Sequence, residues 1–363
     1  MRLLENMLYL EDLQTVCSIP LPWEELEERS ILISGATGMI GSTLIDVLML
    51  RNRSALPEAG KAGAGCRVIA LGRSEEKARM RFQEYWEDPC FAFVQCDIND
   101  RESLERGCSG SSVDYVFHAA SNTHPVAYAS DPIGTVVTNI IGLDNLLHYA
   151  SAHVCRRFLF ASSNEIYGEN RGDVELFDEK YCGYIDCNTM RAGYPESKRA
   201  GETLCQAYIR QKGLDVVIPR FTRSFGPALL RTDTKALSQF IRKGVAGEDI
   251  VLKSEGTQFY SYTYICDAVS GFLYCLLKGE SGEAYNIADV SCDITLRELA
   301  QTIADYVGTK VVFDLPDAVE AAGYSKATKA RLDGAKLRAL GWSPRFDMKT
   351  GLEHTIEIMR SVG

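Results

Sequence analysis

Apolar and polar positions along this chain separate short strands from longer helices. The run Ile31-Leu-Ile33 is followed by a glycine-punctuated turn and then by a helical apolar pattern through Leu44 and Ile45, which reads as strand, tight turn and helix. Further apolar runs at 66–71, 91–96, 114–120, 157–161 and 216–220 predict strands, and the pattern over 132–150 predicts a helix. Strands alternating with helices at this spacing specify an α/β fold with a Rossmann-type doubly wound parallel sheet, whose ligand lies beyond the strand C-termini. Beyond 220 the pattern is less regular. It predicts a turn at Phe225-Gly-Pro227, a helix over 235–245, an extended segment over 258–265 and a helix over 295–307 capped by Thr295 with Glu298 three residues on. Asp333 is placed to cap a helix before Gly341-Trp342. Ahead of the first strand, residues 1–28 carry one or two short amphipathic helical patterns broken by Pro20 and Pro22. They are expected to pack on their own subunit or on a partner. Residues 51–65, rich in Gly and Ala, read as a long surface loop.

Composition narrows the function. A chain of 363 residues that is 46% hydrophobic can bury a sizeable core, and its net charge of -10 argues against nucleic acid or an anionic membrane as partner. Glu5, Glu11 and Asp12 interrupt the N-terminal stretch, and no run approaches about 18 apolar residues, so a cytoplasmic protein with no membrane contact is expected. The 12 cysteines form no C-x-x-C pair and do not cluster with the five histidines. They are expected to be reduced thiols, and no metal site is expected, even at the close pair Cys182 and Cys187.

The chemistry begins at Gly35-x-x-Gly38-x-x-Gly41. The first glycine permits a sharp turn, the second lets backbone approach a pyrophosphate and the third lets helix and strand pack closely, so a dinucleotide is the expected ligand. The second strand ends in Gly72-Arg73-Ser74. Arg73 is placed to pair with the extra phosphate of NADP, which favours NADP over NAD; a solvated loop arginine or one stacked on adenine is the alternative. Asp97, followed by Ile98, could accept from an adenine amino group, and the small Ala119 and Ala120 would let a cofactor lie across the strand ends. Asn139 in a helical stretch points to a hydrogen-bonding task. Tyr194 and Lys198, four apart on a predicted helix, share one face. A neighbouring ammonium and a cationic nicotinamide would lower the Tyr194 pKa and make it a usable base, while Ser163 would hydrogen-bond the same substrate hydroxyl.

These residues, with Asp97, His118-Ala-Ala120, Asn139, Arg220 and Leu340-Gly-Trp342, resemble the extended short-chain dehydrogenase/reductase family over about residues 30 to 360. The resemblance implies three parts: an N-terminal helical extension (1–28), an NAD(P)-binding Rossmann domain (29–220) and a smaller C-terminal α/β substrate-binding lobe (221–363) interleaved with it around 255–275. It implies a cofactor site that includes Thr37, Met39 and Ile40 beside the three glycines, a nucleotide-sugar substrate and a homodimer joined near Asn139 and Tyr194. Within the family, His118-Ala-Ala-Ser121 with His124-Pro125 and Tyr128, Ala161-Ser-Ser-Asn-Glu-Ile-Tyr-Gly168 and Arg191-Ala-Gly-Tyr-Pro-Glu-Ser-Lys-Arg199 look most like UDP-glucuronate decarboxylases. The mechanism so implied has Tyr194 deprotonate the sugar C4 hydroxyl during oxidation by a retained NAD(P). The resulting 4-keto sugar then loses its C5 carboxylate, with Glu165 orienting the sugar or helping to reprotonate C5. A structural carboxylate is the other role open to Glu165. Ser121, Asn164, Arg223 and Tyr260 are the expected substrate contacts. Tyr260 stands where relatives carry arginine, and Arg223 where they carry asparagine; Arg223 could hold either a pyrophosphate or a carboxylate. Asn164 replaces the aspartate with which the family's 4,6-dehydratases expel water, which disfavours dehydration. A nucleotide-sugar 4-epimerase, an NADPH-dependent ketosugar reductase and a non-catalytic NAD(P) or sugar-nucleotide sensor remain as alternatives.

Overall fold

The computed structural model describes residues 2–54, 65–123, 126, 130–230, 232–314 and 328–363. The first seven strands are Ser30–Ser34 (β1), Arg67–Gly72 (β2), Phe91–Gln95 (β3), Tyr115–His118 (β4), Arg157–Phe160 (β5), Ser162–Ser163 (β6) and Val216–Phe221 (β7). Arg223–Phe225 (β8), Ile250–Leu252 (β9), Phe259–Tyr264 (β10), Ala284–Ile287 (β11), Asp293–Thr295 (β12), Val311–Phe313 (β13) and Lys329–Ala330 (β14) follow. A parallel sheet runs β11-β7-β5-β4-β1-β2-β3, with β6 also paired to β7. This is the doubly wound order expected from the alternating pattern, and it brings the C-terminal ends of β1, β2 and β4 to one edge.

Both faces of the sheet are covered, which is why β1 is a continuous apolar run rather than an alternating one. Ile31 and Ile33 pack into one core with Leu44, Leu48 and Phe272, from the helices Met39–Ser54 and Ile265–Lys278. Leu32 faces the other core with Leu143, Leu146 and Cys205, from the helices Leu143–Ala152 and Gly193–Lys212. A second sheet is built on β10, which pairs in parallel with β8 and β14 and antiparallel with β12; β9 and β13 form a separate parallel pair.

Several local expectations need adjustment. The helix expected over 132–150 is Pro132–Val137 and Leu143–Ala152 joined by a π turn at Thr138–Gly142. Asn139 lies in that turn and donates from Nδ2 to Ser197 Oγ at 2.8 Å, which is its hydrogen-bonding task. Residues 51–54, read as loop, extend the helix Met39–Ser54, and residues 55–64 lie outside the described residues. Thr295 and Glu298 do form the capping box of the helix Leu296–Val307. Gly334, not Asp333, is the N-cap of Ala335–Ala339, although the Asp333 carboxylate accepts the Ala335 N–H at 2.8 Å. The helix Met348–Val362 was not anticipated.

The N-terminal extension packs on its own subunit. Its helix Met7–Cys17 sends Tyr9 OH to the buried carboxylate of Asp46 at 2.7 Å, and Asp46 also takes Tyr85 OH at 3.1 Å and an ion pair from Arg81. Asp12 accepts Tyr264 OH at 2.6 Å and meets His354 Nδ1 at 2.9 Å, while Asn6 Nδ2 donates to Ser361 Oγ at 2.6 Å. Among the described residues no helix is long and apolar enough to cross a membrane.

Candidate active site

All the residues expected above to bind cofactor or substrate or to do chemistry line one cleft of about 1790 Å³ at the C-terminal edge of the large sheet. His124, Pro125 and Tyr128 lie outside the described residues. The cleft begins at the turn after β1, where Gly35 has φ of 71° and a Cβ there would lie 2.7 Å from Ala119 C and Ala120 N. Only glycine fits. A Cβ at Gly41 would come within 2.6 Å of Gly35 O, so the third glycine is what lets helix meet turn. At Gly38 a Cβ would approach only Gly35 O, at 3.1 Å, leaving that backbone open to a phosphate. The residues present thus fit a dinucleotide. Ser34 Oγ meets His118 Nδ1 at 2.8 Å and ties the ends of β1 and β4 beneath Ala119 and Ala120; burial holds that imidazole far below its ordinary pKa, hence neutral.

Toward the adenosine end, Arg73 and Lys77 are both exposed on the cleft wall. Ser74 caps the helix Glu75–Phe82 by accepting the Lys77 N–H at 3.3 Å. One Asp97 oxygen accepts the Asn99 N–H at 3.0 Å, and Ser121 Oγ donates to Asn122 O at 3.0 Å.

The reactive end is formed by β6 and the helix Gly193–Lys212. Tyr194, Ser197, Lys198, Gly201 and Cys205 make that helix's buried face. Gly201 permits close approach to the sheet, since a Cβ there would meet Phe160 Cζ at 2.6 Å. Tyr194 and Ser163 line the cleft together, and the Ser163 hydroxyl lies close enough to pull the phenol pKa down. Lys198 is 2% exposed; its Nζ donates to Ala161 O at 2.7 Å and lies 4.7 Å from the Phe160 ring centroid. Below it, Glu202 accepts Ser162 Oγ at 2.5 Å and a bidentate pair from Arg220 at 2.9 and 2.6 Å, which fixes the strand that carries Ser163.

Burial, then the Glu165 carboxylate, push the Tyr194 phenol up from its ordinary value, against the Ser163 hydroxyl and Arg191, which pull it down. Lys198 stands 5.9 Å from the Tyr194 ring centroid, and burial drops its own ammonium to about 7, with Cys205 and Glu202 opposing. Burial thus raises the phenol and lowers the ammonium, and these side-chain shifts include no contribution from a cationic nicotinamide. Burial also pushes Glu165 up, but Arg191 at 2.8 Å, with Arg223 and Lys235, outweighs it and holds the carboxyl below its ordinary value. Glu165 is thus an anion at neutral pH. Asn164 follows Ser163 in the turn Asn164–Tyr167, and Glu165 N–H bonds Ser163 Oγ at 3.2 Å. Arg223 lies over the Tyr260 ring, its Cζ 3.7 Å from the ring centroid. Lys77 and Lys235 were not read from the sequence; lone lysines at helix starts carry no motif, and only the fold turns them toward the cleft.

The fold and cleft are those of an enzyme that works with a nicotinamide dinucleotide. More narrowly, the chain belongs to the NAD dependent epimerase/dehydratase family, whose pattern it matches over residues 31–288. It is 30% identical over 337 residues to UDP-glucuronic acid decarboxylase 1 of Xenopus tropicalis, covering 93% of this chain and 73% of that one. It is 29% identical over 326 residues to UDP-glucuronic acid decarboxylase 5 of Arabidopsis thaliana, covering 89% and 86%. Among solved structures it resembles DesIV, a dTDP-glucose 4,6-dehydratase from Streptomyces venezuelae with NAD and DAU bound, at 26% identity and a TM-score of 0.75, covering 91% of this chain and 96% of that one. It shares the fold of the Bacillus cereus UDP-glucuronic acid 4-epimerase in complex with UDP-glucuronic acid and NAD, at 22% identity and a TM-score of 0.75, covering 92% and 100%. This is an NAD-dependent nucleotide-sugar enzyme.

Proposed function

We propose that the protein oxidises C4 of a nucleotide sugar with a retained NAD(P) and then decarboxylates it, as a UDP-glucuronate decarboxylase does. The observation that carries this reading is the convergence of Ser163, Tyr194 and Lys198 with the ionised Glu165 and the Arg223–Tyr260 pair at one end of the dinucleotide cleft. Relatives at 29 and 30% identity bear that activity in their names.

The nicotinamide, when bound, supplies the acceptor and later the donor for the C4 hydrogen, and its positive charge lowers the phenol pKa of Tyr194. Tyr194 takes the C4 hydroxyl proton, and Ser163 holds the same oxygen in line. Lys198 would hold the cofactor ribose and, when protonated, adds positive charge beside the phenol, 5.9 Å from its ring centroid. With C4 a ketone, the C5 carboxylate belongs to a β-keto acid: its C–C bond breaks, CO2 leaves and the electron pair is held as an enolate at the C4 oxygen. A proton drawn from solvent then adds at C5. Because Arg191, Arg223 and Lys235 hold Glu165 ionised, its role is to accept sugar hydroxyls rather than to deliver that proton. Tyr194 would then give its proton back to the C4 oxygen as the C4 hydrogen returns, so the product is a UDP-pentose with no net use of cofactor. Asn164 has no acidic proton for expelling water from C6, which weighs against dehydration.

A second reading, net NADPH-dependent reduction of a ketosugar, draws support from Arg73 and Lys77 on the adenosine wall, two cations suited to a ribose 2′-phosphate. We place the enzyme in the cytosol, in keeping with twelve unpaired cysteines. We also take it to be a homodimer, with Ile133, Val136 and Ile141 on the exposed side of the π-turned helix as its contact.

The deciding experiment is mass spectrometry of UDP-glucuronate after incubation with the enzyme, with Tyr194→Phe in parallel. Loss of CO2 to a UDP-pentose without net cofactor consumption, slowed about 10²- to 10⁴-fold in Tyr194→Phe, is expected. Stoichiometric NADPH consumption selects the reductase, and an isomer of unchanged mass selects the 4-epimerase.

A further inference from the structure

We infer that Arg223, seated over the Tyr260 ring, is the residue that selects a sugar nucleotide bearing a carboxylate next to the reacting carbon; this rests on the nucleotide-sugar reading above. The strand register creates the pair. Arg223 on β8 lies opposite Tyr262 of β10, and Tyr260 is two residues along the same strand, hence on the same face. Tyr260 is itself fixed between Ile294 of β12 and Ala330 of β14. With its Cζ 3.7 Å from the centroid the guanidinium lies over the ring, a cation–π contact that does not use its N–H groups as the ring's hydrogen-bond donors and leaves Nη1 without a partner.

The charges around it show which acceptor. Glu165 is engaged by Arg191 at 2.8 Å, and Asp233 by Lys235 at 3.4 Å. Among the described residues Arg223 is in no ion pair, and its Nη1 is buried without a hydrogen-bond partner. A cation with an unmet donor on the cleft wall is suited to an anionic oxygen. Its neighbours point to a sugar carboxylate rather than a pyrophosphate: Arg223, Glu165, Tyr194 and Tyr260 line one cleft, and Arg223 is near enough to Glu165, and Glu165 to both tyrosines, for each to shift the other's proton affinity. Arginine and aromatic ring together supply the positive charge that a tyrosine alone lacks.

The test is isothermal titration calorimetry with UDP-glucuronate, UDP-glucose and UDP on full-length enzyme saturated with NAD, in a Tyr194→Phe background that holds back turnover. UDP-glucuronate should bind at least tenfold tighter than UDP-glucose. Arg223→Gln should erase that preference while leaving UDP-glucose and UDP within about twofold, and those two ligands also report that the variant is folded. Arg223→Lys should restore part of the preference, Tyr260→Phe should keep it and Tyr260→Leu should lose it. Equal losses for all three ligands would place Arg223 on the pyrophosphate and overturn the inference, as would a parent enzyme that binds none of them or shows no preference. If selective binding holds but no CO2 is released by the Tyr194 enzyme, the decarboxylase reading fails alone; CO2 release with equal losses sinks only the role of Arg223.

Discussion

Lys198→Met should make the protein more stable while abolishing its chemistry. The Lys198 ammonium is 2% exposed, and burial lowers it from 10.5 to about 7. At 1.36 kcal/mol per tenfold change in proton affinity, that is a charging cost of about 5 kcal/mol. Below pH 7 lysine is charged in both the folded and the unfolded chain, and the cost is present in full. Between 7 and 10.5 the unfolded chain binds more protons than the folded one, so stability rises with pH and the cost fades, to about 2 kcal/mol at pH 9. Methionine fills similar volume without charge but leaves Ala161 O without its 2.7 Å donor, a loss of about 1–2 kcal/mol. The net gain is about 3 kcal/mol at pH 6 and near zero at pH 9. With an unfolding entropy of about 2.1 cal/mol/K per residue over 363 residues, the gain at pH 6 raises Tm by about 4 °C. Circular dichroism melts of both proteins at pH 6 and pH 9 read this directly. A variant that melts at or below the wild type at pH 6, or a difference between them that does not shrink by pH 9, refutes the reasoning.

Two further outcomes follow from the cofactor end. Gly35→Ala should cost about 2–4 kcal/mol in denaturant unfolding, because its Cβ would lie 2.7 Å from backbone atoms and φ is 71°; a loss under 1 kcal/mol would mean the turn can yield. Arg73→Ala should weaken NADPH binding in a fluorescence titration by tenfold or more while sparing NADH, and equal effects on the two would remove Arg73 from cofactor choice.

What could be read from the chain was what nearby residues decide. The glycine turn, the Tyr194 and Lys198 face and the Thr295–Glu298 capping box each lie within one or two helical turns of sequence, and local geometry alone brings their atoms together. The π turn at Asn139 was hidden because its partner Ser197 is 58 residues away. The exchange of arginine and tyrosine at 223 and 260 was visible as two departures, but their contact depends on β8 pairing with β10. The lowered pKa of Lys198 could not be foreseen either: the spacing places the side chain, but its charge state depends on how completely the helix is buried.

The bonds made by Asp12 bear on how the chain reaches this state. Its partners Tyr264 and His354 lie 252 and 342 residues downstream, and Asn6 meets Ser361 across 355 residues. The helix Met7–Cys17 is synthesised long before Met348–Val362 and cannot complete its docking until that helix has emerged. Tyr9 in the same helix binds Asp46, 37 residues away, so one side of it can settle early while the other waits. The helix Met7–Cys17 thus closes against segments made long after it, and a nascent chain halted before His354 would leave Asp12 without its imidazole partner.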